Sequence, residues 1–301
     1  MNYKGIKNKI EHDEGLLGWI FILPAILIIV AIIFYPILRT LWLSLTSYSL
    51  AYPWRNKFVG LDNYLDFFSS AKFWATIGRT AYFTFISTGL EIILGIAIAM
   101  LINMHLKGWR FLRTIVLIPW AVPTVVNAII WKWIYNAEYG ALNGLLQSLH
   151  IIDKYQSWLS VPWRAMNMVI LADIWKCTPF IVLMISASLA TMPEELYEAG
   201  EIDGTSRWQS FKYITLPLLK PAIMVSLVIR TVEAFKAFDI IYVLTNGGPA
   251  NGTQIISYMT YLESFSFLNM GRGSALSFIV SIFILILAII YIKILYTEDG
   301  V

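Results

Sequence analysis

Two strongly apolar stretches of this chain are separated by the polar segment Pro193-Glu194-Glu195-Leu196-Tyr197-Glu198-Ala199-Gly200-Glu201-Ile202-Asp203-Gly204. Proline suits the start of a short helix, because its missing N–H would be unpaired there anyway. Acidic residues in the first turn favour the positive end of the helix dipole. Gly204 can end the helix with a positive φ. The segment therefore predicts a folded helical insert, which a membrane protein needs only if the insert docks onto something.

Apolar residues of the insert have helical spacing. Leu196, Ala199 and Gly200 predict one small, apolar face on the first helix. Further along, three apolar residues repeat every three positions and predict a second short helix: Trp208, Phe211 and Ile214. We expect Leu216-Pro217 to close that helix and lead back into the membrane.

The composition is that of a polytopic membrane protein. Of 301 residues, 58% are hydrophobic and 14% are charged, whereas soluble domains carry about 25% charged residues. The net charge of +3 is too small to suggest a nucleic-acid partner. The single cysteine, Cys177, excludes an internal disulfide.

Six segments are apolar over the roughly 20 residues that a membrane helix needs: 16–38, 76–103, 113–135, 164–190, 218–244 and 273–296. The first is too long for a signal-peptide core and has no Ala-x-Ala exit, which indicates a retained span. We therefore expect an all-α membrane protein with a transmembrane domain at 16–296, a helical loop at 191–217, and short terminal segments at 1–15 and 297–301.

Basic residues predict the orientation of the spans. With the N-terminus inside, the cytoplasmic set is Lys4, Lys7, Lys9, Lys107, Arg110, Arg113, Arg207, Lys212, Lys220 and Lys293. The opposite set is smaller: Arg55, Lys57, Lys72, Arg79, Lys154, Arg164 and Arg272. This bias predicts cytoplasmic termini and places the 191–217 loop in the cytoplasm.

Ionisable residues deep in a span are functional candidates by default. Glu91 lies alone in the second span, and Asp173 and Lys176 lie three apart in the fourth. The fifth span carries alternating charges at three-residue steps: Arg230, Glu233, Lys236 and Asp239. Such steps place opposite charges side by side on one helical face.

These charges allow two interpretations. With the nearby aromatic residues Trp175, Phe180, Phe235 and Phe238, they would line a cavity for a hydroxyl-rich solute. Alternatively, they only pair across helices to fix packing. We favour the cavity for the four charges of the fifth span, and packing for Glu91, which has no ionic neighbour in its own span.

The insert resembles the cytoplasmic coupling loop of the membrane subunits of ATP-binding-cassette (ABC) importers, whose pattern is Glu-Ala-Ala, three residues, Gly, nine residues, Ile-x-Leu-Pro. The resemblance assigns ATPase coupling to Glu198, Ala199, Gly200, Asp203, Gly204, Ile214, Leu216 and Pro217. Gly200 stands where the family has alanine.

Three further runs, 117–123, 173–180 and 230–249, are similar to segments of maltose-transporter-type permeases, and 173–180 and 230–239 look closer to the trehalose/maltose branch. In that family the sugar is bound midway through the membrane subunits. The resemblance implies substrate contacts at Lys176, Cys177, Phe180, Arg230, Ala234 and Ala237. Glu233, from the charged face of the fifth span, completes the set of expected contacts.

The resemblance also implies a type I importer fold and a set of partners. These are a second homologous permease, a dimeric cytoplasmic ATPase, an extracytoplasmic sugar-binding protein and the lipid bilayer of a prokaryotic cell membrane. The chain has no Gly-x4-Gly-Lys-Ser/Thr phosphate loop. We therefore expect it to be no enzyme, to carry no cofactor, catalytic residue or metal of its own, and to leave ATP and Mg to the ATPase. The expected cargo is a disaccharide or short oligosaccharide.

Two other function classes are weaker. A self-sufficient secondary transporter would use Glu91, Asp173 and Asp239 to relay protons or Na⁺, but most of these acids have basic neighbours and the insert would be unexplained. An intramembrane enzyme lacks His-Glu-x-x-His and Gly-x-Ser-x-Gly motifs, and the histidines His12, His105 and His150 lie outside the spans.

Overall fold

A computed structural model describes residues 14–103 and 109–295 of the chain. The basic residues Lys4, Lys7, Lys9 and Lys107, the histidines His12 and His105, the first 13 residues of the expected N-terminal segment and the C-terminal tail lie outside the described residues.

Helices make up nearly all the regular structure of the described residues. The α-helices are α1 Glu14–Ile29, α2 Tyr35–Ser44, α3 Asp62–Ser69, α4 Ala71–Asn103, α5 Trp109–Ala121, α6 Thr124–Ile134, α7 Ala141–Ser148, α8 Pro162–Leu189, α9 Glu195–Ile202, α10 Arg207–Ser210, α11 Leu216–Phe235, α12 Asp239–Leu244, α13 Ile256–Tyr261 and α14 Met270–Leu295. Wider π-helical turns lie at Val30–Phe34, Phe211–Thr215 and Leu262–Ser266, and a 3₁₀ turn lies at Pro53–Arg55.

The chain divides into two compact units. The first comprises Met1–Phe67 and Leu262–Phe278. There Arg272 pairs with Asp66 at 2.9 Å and with Glu263 at 3.2 Å. The second comprises Phe68–Tyr261 and Ile279–Val301 and holds the charged residues singled out above.

Five helices of the described residues are long and apolar enough to cross a membrane, and a bent pair makes a sixth candidate. The five are Phe21–Ser44, Ala71–Asn103, Pro162–Leu189, Arg207–Phe235 and Met270–Ile294. The sequence-based count of six spans therefore holds if the bent pair is one span.

The third expected span differs from a single continuous helix. Its two halves, Thr114–Ala121 and Thr124–Ile134, meet at an angle of 100°. Proline has no N–H to donate and disfavours the helical conformation of the residue before it. Pro123 follows Val122 at this bend, and its own ψ of 142° is not helical.

The fifth expected span also differs, at both ends. The helix starts at Arg207 and runs through the π-helical turn Phe211–Thr215 into α11, so that the expected separate second helix does not form. A π turn widens the helix. Here it ends at Thr215, two residues before Pro217, which has no N–H for the hydrogen-bond ladder. The helix then stops at Phe235, and Lys236, Ala237 and Phe238 separate it from α12.

The core of the second unit lies where α4, α8 and α11 pack together. Its buried members are Ile92, Ala99, Ile102, Ile181, Val182, Ile185, Leu189 and Leu219. Gly95 allows α4 to approach α8 closely, because a Cβ at this position would lie 2.4 Å from Ile181 Cγ2. Small residues at such crossings are typical of membrane helices.

Two loops contain local structure. The loop between α6 and α8 contains the short helix α7. Asn143 of that helix is buried; its amide accepts hydrogen bonds from Trp158 Nε1 at 2.9 Å and from the Gln156 N–H at 3.0 Å. After α12, Asn246 and Gly247 have φ values of 50° and 75°, the left-handed conformation expected of a turn.

Candidate functional site

A buried arginine joins three helices of the second unit. Arg230 on α11 binds Glu91 on α4 through two hydrogen bonds, from Nε to Oε2 at 2.6 Å and from Nη2 to Oε1 at 2.8 Å. Nη2 also donates to Asp173 on α8 at 3.1 Å, and Nη1 donates to Glu233 at 2.8 Å. Paired hydrogen bonds to one carboxylate are the strongest contact that arginine makes with an acid.

The pairing is deep inside the unit. Arg230 is 3% exposed, and Glu91 is fully buried. The hydroxyl of Ser87 lies within hydrogen-bond distance of both carboxylates, 2.6 Å from Asp173 and 2.9 Å from Glu91. We call Arg230, Glu91, Asp173 and Ser87 the arginine cluster. Its geometry supports the packing interpretation of Glu91.

The arginine cluster also bears on metal binding. Glu91, Asp173 and Cys177 offer three ligand atoms within 4.8 Å of one another. The Arg230 guanidinium binds both carboxylates and supplies the positive charge that a cation would bring. The acids are therefore engaged by arginine and not arranged around an open centre.

Beside the arginine cluster lies a polar cavity of about 300 Å³. Its lining combines charged, aromatic and small residues: Trp120, Thr124, Asp173, Lys176, Cys177, Arg230, Glu233, Lys236, Ala237, Phe238, Asp239 and Ile240. The break after α11 places Lys236, Ala237 and Phe238 in this wall. Ser257 on α13 donates a hydrogen bond to the Ala237 carbonyl. This carbonyl lies in the break between α11 and α12 and has no helical hydrogen-bond partner, so the serine satisfies it.

Five of the seven expected substrate contacts lie in the cavity wall: Lys176, Cys177, Arg230, Glu233 and Ala237. Phe180 and Ala234 do not. Phe180 packs towards Trp120, with ring centroids 6.1 Å apart, and against the apolar core. Ala234 is 1% exposed. Both positions were carried over from the resemblance, which says nothing about how α8 and α11 are rotated here.

The four alternating charges do not form one stripe. Arg230 pairs with Glu233 as the three-residue spacing predicts, but the helix ends before Lys236 and Asp239. All four nevertheless line the cavity. Within residues 14–103 and 109–295, Lys176, Lys236 and Asp239 form no side-chain ion pair or hydrogen bond, so their charged groups are available to a solute.

The aromatic part of the wall differs from the sequence-based expectation. It consists of Trp120 and Phe238, whereas Trp175 is half-exposed and faces Trp131 at 6.0 Å between ring centroids. Sequence reasoning missed Trp120 and Thr124 because it treated the third span as straight. The signal that could have found them is the pair Pro119 and Pro123, which brackets the bend.

The insert forms a short helix with an exposed surface. Helix α9 starts after Glu194, and Gly204 has a φ of +74°, both close to expectation. Glu198, Ala199, Asp203, Gly204 and Pro217 are exposed, and Ile214 and Leu216 are half-buried.

The small apolar face of α9 is divided. Leu196 and Ala199 are exposed, whereas Gly200 is buried. A Cβ on Gly200 would lie 3.0 Å from Thr205 Oγ1 and 3.2 Å from Ile214 Cδ1. Its carbonyl accepts from the Thr205 hydroxyl at 2.9 Å. Gly200 therefore contacts other residues of the insert. The exposed surface of α9 is formed by residues such as Leu196 and Ala199.

Comparison with known proteins identifies the family. Residues 91–297 match the family described as "Binding-protein-dependent transport system inner membrane component". The chain belongs to this family. It is therefore a membrane permease component of a transport system and not an enzyme. The match covers α4 from Glu91 onwards, the arginine cluster apart from Ser87, the cavity and the insert.

Relatives and solved structures agree with this assignment. The chain is 42% identical to the trehalose/maltose transport system permease protein MalF of Thermococcus litoralis over 96% of this chain and 97% of that protein. It is 35% identical to the sulfoquinovosyl glycerol transport system permease protein SmoG of Agrobacterium fabrum, over 96% and 94%. A chain of a bacterial alginate ABC transporter, solved in complex with an alginate pentasaccharide-bound periplasmic protein, has the same fold. Its TM-score is 0.81 at 23% identity, over 98% of this chain and 99% of that one.

Proposed function

We propose that this protein is one of two permease subunits of an ATP-driven importer for a neutral sugar, and that the polar cavity holds the sugar during passage. The observation that carries the proposal is the cavity itself, which joins unpaired charged groups to aromatic rings beside a break in a membrane helix. Ligands are bound in membrane transporters where helices are interrupted. The relative whose name includes trehalose and maltose supports a neutral glycoside as cargo.

The charge balance of the cavity favours a neutral cargo. With every group ionised, the cavity wall carries three positive charges, on Lys176, Arg230 and Lys236. Three negative charges balance them, on Asp173, Glu233 and Asp239. A wall without net charge offers no excess of either sign to a charged sugar, whereas hydroxyl groups donate to Asp239 and accept from the lysines.

The seven expected substrate contacts have unequal support. Lys176, Cys177, Glu233 and Ala237 reach the cavity and remain our assigned substrate contacts, joined by Trp120, Lys236 and Asp239. Arg230 touches the cavity, but its guanidinium donates four hydrogen bonds to carboxylates of the protein. We assign Arg230 to positioning the helices, and Phe180 and Ala234 to packing.

The insert 191–217 is the proposed coupling site for a cytoplasmic, dimeric ATPase that binds ATP and Mg. Its support is the exposed helix α9 with Glu198, Ala199 and Gly204. Both chain termini then lie in the cytoplasm of a prokaryotic cell, with the permease domain at 16–296. The alginate transporter was solved with a periplasmic protein, which supports an extracytoplasmic binding protein as a further partner.

Two tryptophans test the cavity as a matched pair. Trp120 lines it, whereas Trp175 on α8 does not. Trp120→Leu should raise the KM for sugar uptake about fivefold, because loss of a ring contact costs ~1 kcal/mol. Trp175→Leu should leave KM within about twofold. Equal KM values for the two variants would remove the cavity from the sugar pathway.

Purification of the tagged chain in mild detergent tests the assembly. An ATPase and a second permease should copurify, and ATP should be needed for uptake. Recovery of the chain alone, with uptake driven by an ion gradient, would instead support a secondary transporter. That alternative is already weakened by the family, and by Arg230, which neutralises two of the three acids it requires.

A further inference from the structure

A second cavity in the described residues is almost wholly apolar. This groove, of about 470 Å³, lies between α4 and the start of the long helix that begins at Arg207. On α4 it is lined by Ile93, Ile96 and Met100, which share one helical face. On the other side it is lined by Arg207, Trp208 and Phe211.

The groove lies where two spans end. Met100 is three residues from the last residue of α4, and Arg207 is the first residue of the helix opposite. Ile93 and Met100 are separated by about 10 Å along α4, at 1.5 Å per residue. The groove thus runs from an apolar span towards its polar boundary, as an acyl chain does below its headgroup.

Residues at the groove's polar end suit a lipid headgroup. Trp208 is 68% exposed, and its ring lies tilted against that of Phe211, with ring centroids 5.5 Å apart. Tryptophan is enriched at the membrane–water boundary. Arg207 is exposed and forms no ion pair or side-chain hydrogen bond within the described parts of the chain. Its guanidinium is free to bind a phosphate oxygen while its stem covers apolar surface.

We infer that this groove binds one anionic phospholipid, with an acyl chain between α4 and Phe211 and the phosphate on Arg207. The inference does not depend on the cargo. Arg207, Trp208 and Phe211 belong to the insert 191–217, so the groove borders the proposed coupling site. Charge complementarity favours lipid as the occupant. A wall of apolar side chains ends in the cation of Arg207, which has no ion-pair partner among the described residues, and juxtamembrane basic residues attract anionic lipid.

The test places the full chain, with the subunits that copurify, in vesicles of equal parts phosphatidylglycerol and phosphatidylcholine. Two preparations differ only in which lipid carries brominated acyl chains, which quench tryptophan fluorescence on contact. The chain has 12 tryptophans, so the difference between the wild type and Trp208→Phe isolates the signal of Trp208. We expect brominated phosphatidylglycerol to be favoured about fivefold at Trp208.

Substitutions of basic residues test whether Arg207 causes the preference for phosphatidylglycerol. Arg207→Gln should bring the preference close to one, and Arg207→Lys should keep most of it. Lys212→Gln is the matched control, because Lys212 lies over the Tyr213 ring at 5.0 Å and does not line the groove. Equal quenching by both lipids in the wild type would overturn the inference. So would quenching by neither, which would mean that protein covers the groove, or a preference that survives Arg207→Gln.

Discussion

Two groups of carboxylates in this protein, one in the arginine cluster and one on α9, have opposite surroundings. In the arginine cluster, Glu91 and Asp173 are buried and bound to one guanidinium. On α9, Glu195, Glu198 and Glu201 are exposed, and no ion pair engages them within the described residues. Buried charges must be paired, whereas exposed ones remain free for a partner. The same residue type therefore fixes helices in one place and offers a docking surface in the other.

The largest effect should come from removing the arginine. Arg230→Met leaves Glu91 and Asp173 buried without a counter-charge, and breaking such a pair costs about 3–5 kcal/mol. Thermal unfolding in detergent should show a large drop in melting temperature. Glu233→Gln is the control: this side chain is 59% exposed, and its ion pair contributes about 1 kcal/mol or less. A melting temperature unchanged by Arg230→Met would mean that the cluster does not hold the helices.

Overpacking beneath the arginine cluster should have the next largest effect. Gly95→Ala forces α4 away from Ile181, at a cost of about 1–3 kcal/mol. Gly89→Ala, on the same helix with no atom within 4 Å of the added methyl, should not destabilise the protein. Melting temperatures of both variants check this difference. If Gly95→Ala is tolerated as well as Gly89→Ala, α4 and α8 are not tightly packed.

A smaller and local effect is expected at the end of α9. Gly204 has a φ of +74°, where a side chain costs about 1–2 kcal/mol. Gly204→Ala should speed hydrogen exchange of the α9 amides by about fivefold or more, with little change elsewhere. Asparagine tolerates this conformation better, so Gly204→Asn should exchange more slowly than Gly204→Ala. Identical exchange in the two variants would argue against backbone strain as the cause.

The smallest effect on stability is expected at Glu198, because it is exposed and unpaired in the described structure. Glu198→Gln should change the free energy of unfolding by about 0.5 kcal/mol or less, and the melting temperature should therefore change little. Recovery of the ATPase with the tagged chain should nevertheless fall. Retention of the ATPase together with normal uptake would show that this acid is not part of the docking surface.

Part of the candidate site follows from local sequence. Pro193 and Gly204 bracket α9 because they act on their own backbone, and the lengths of the apolar segments predicted the long helices. Most cavity charges were singled out because ionisable residues are costly in a span. The partners of Arg230 were not predictable in this way, since Glu91 lies 139 residues away in the chain.

Sequence by itself therefore determined the helical membrane class, the approximate spans, the insert and the ionisable residues inside the spans, because these depend on composition and short-range spacing. Tertiary structure decided which charged side chains form ion pairs with one another and which face the cavity without a partner among the described residues. It turned Arg230 towards Glu91 and Asp173, ended α11 before Lys236, and brought Trp120 to the cavity through the bend before Pro123. These outcomes depend on how helices pack and rotate against one another, which the spacing of residues along a single helix does not specify.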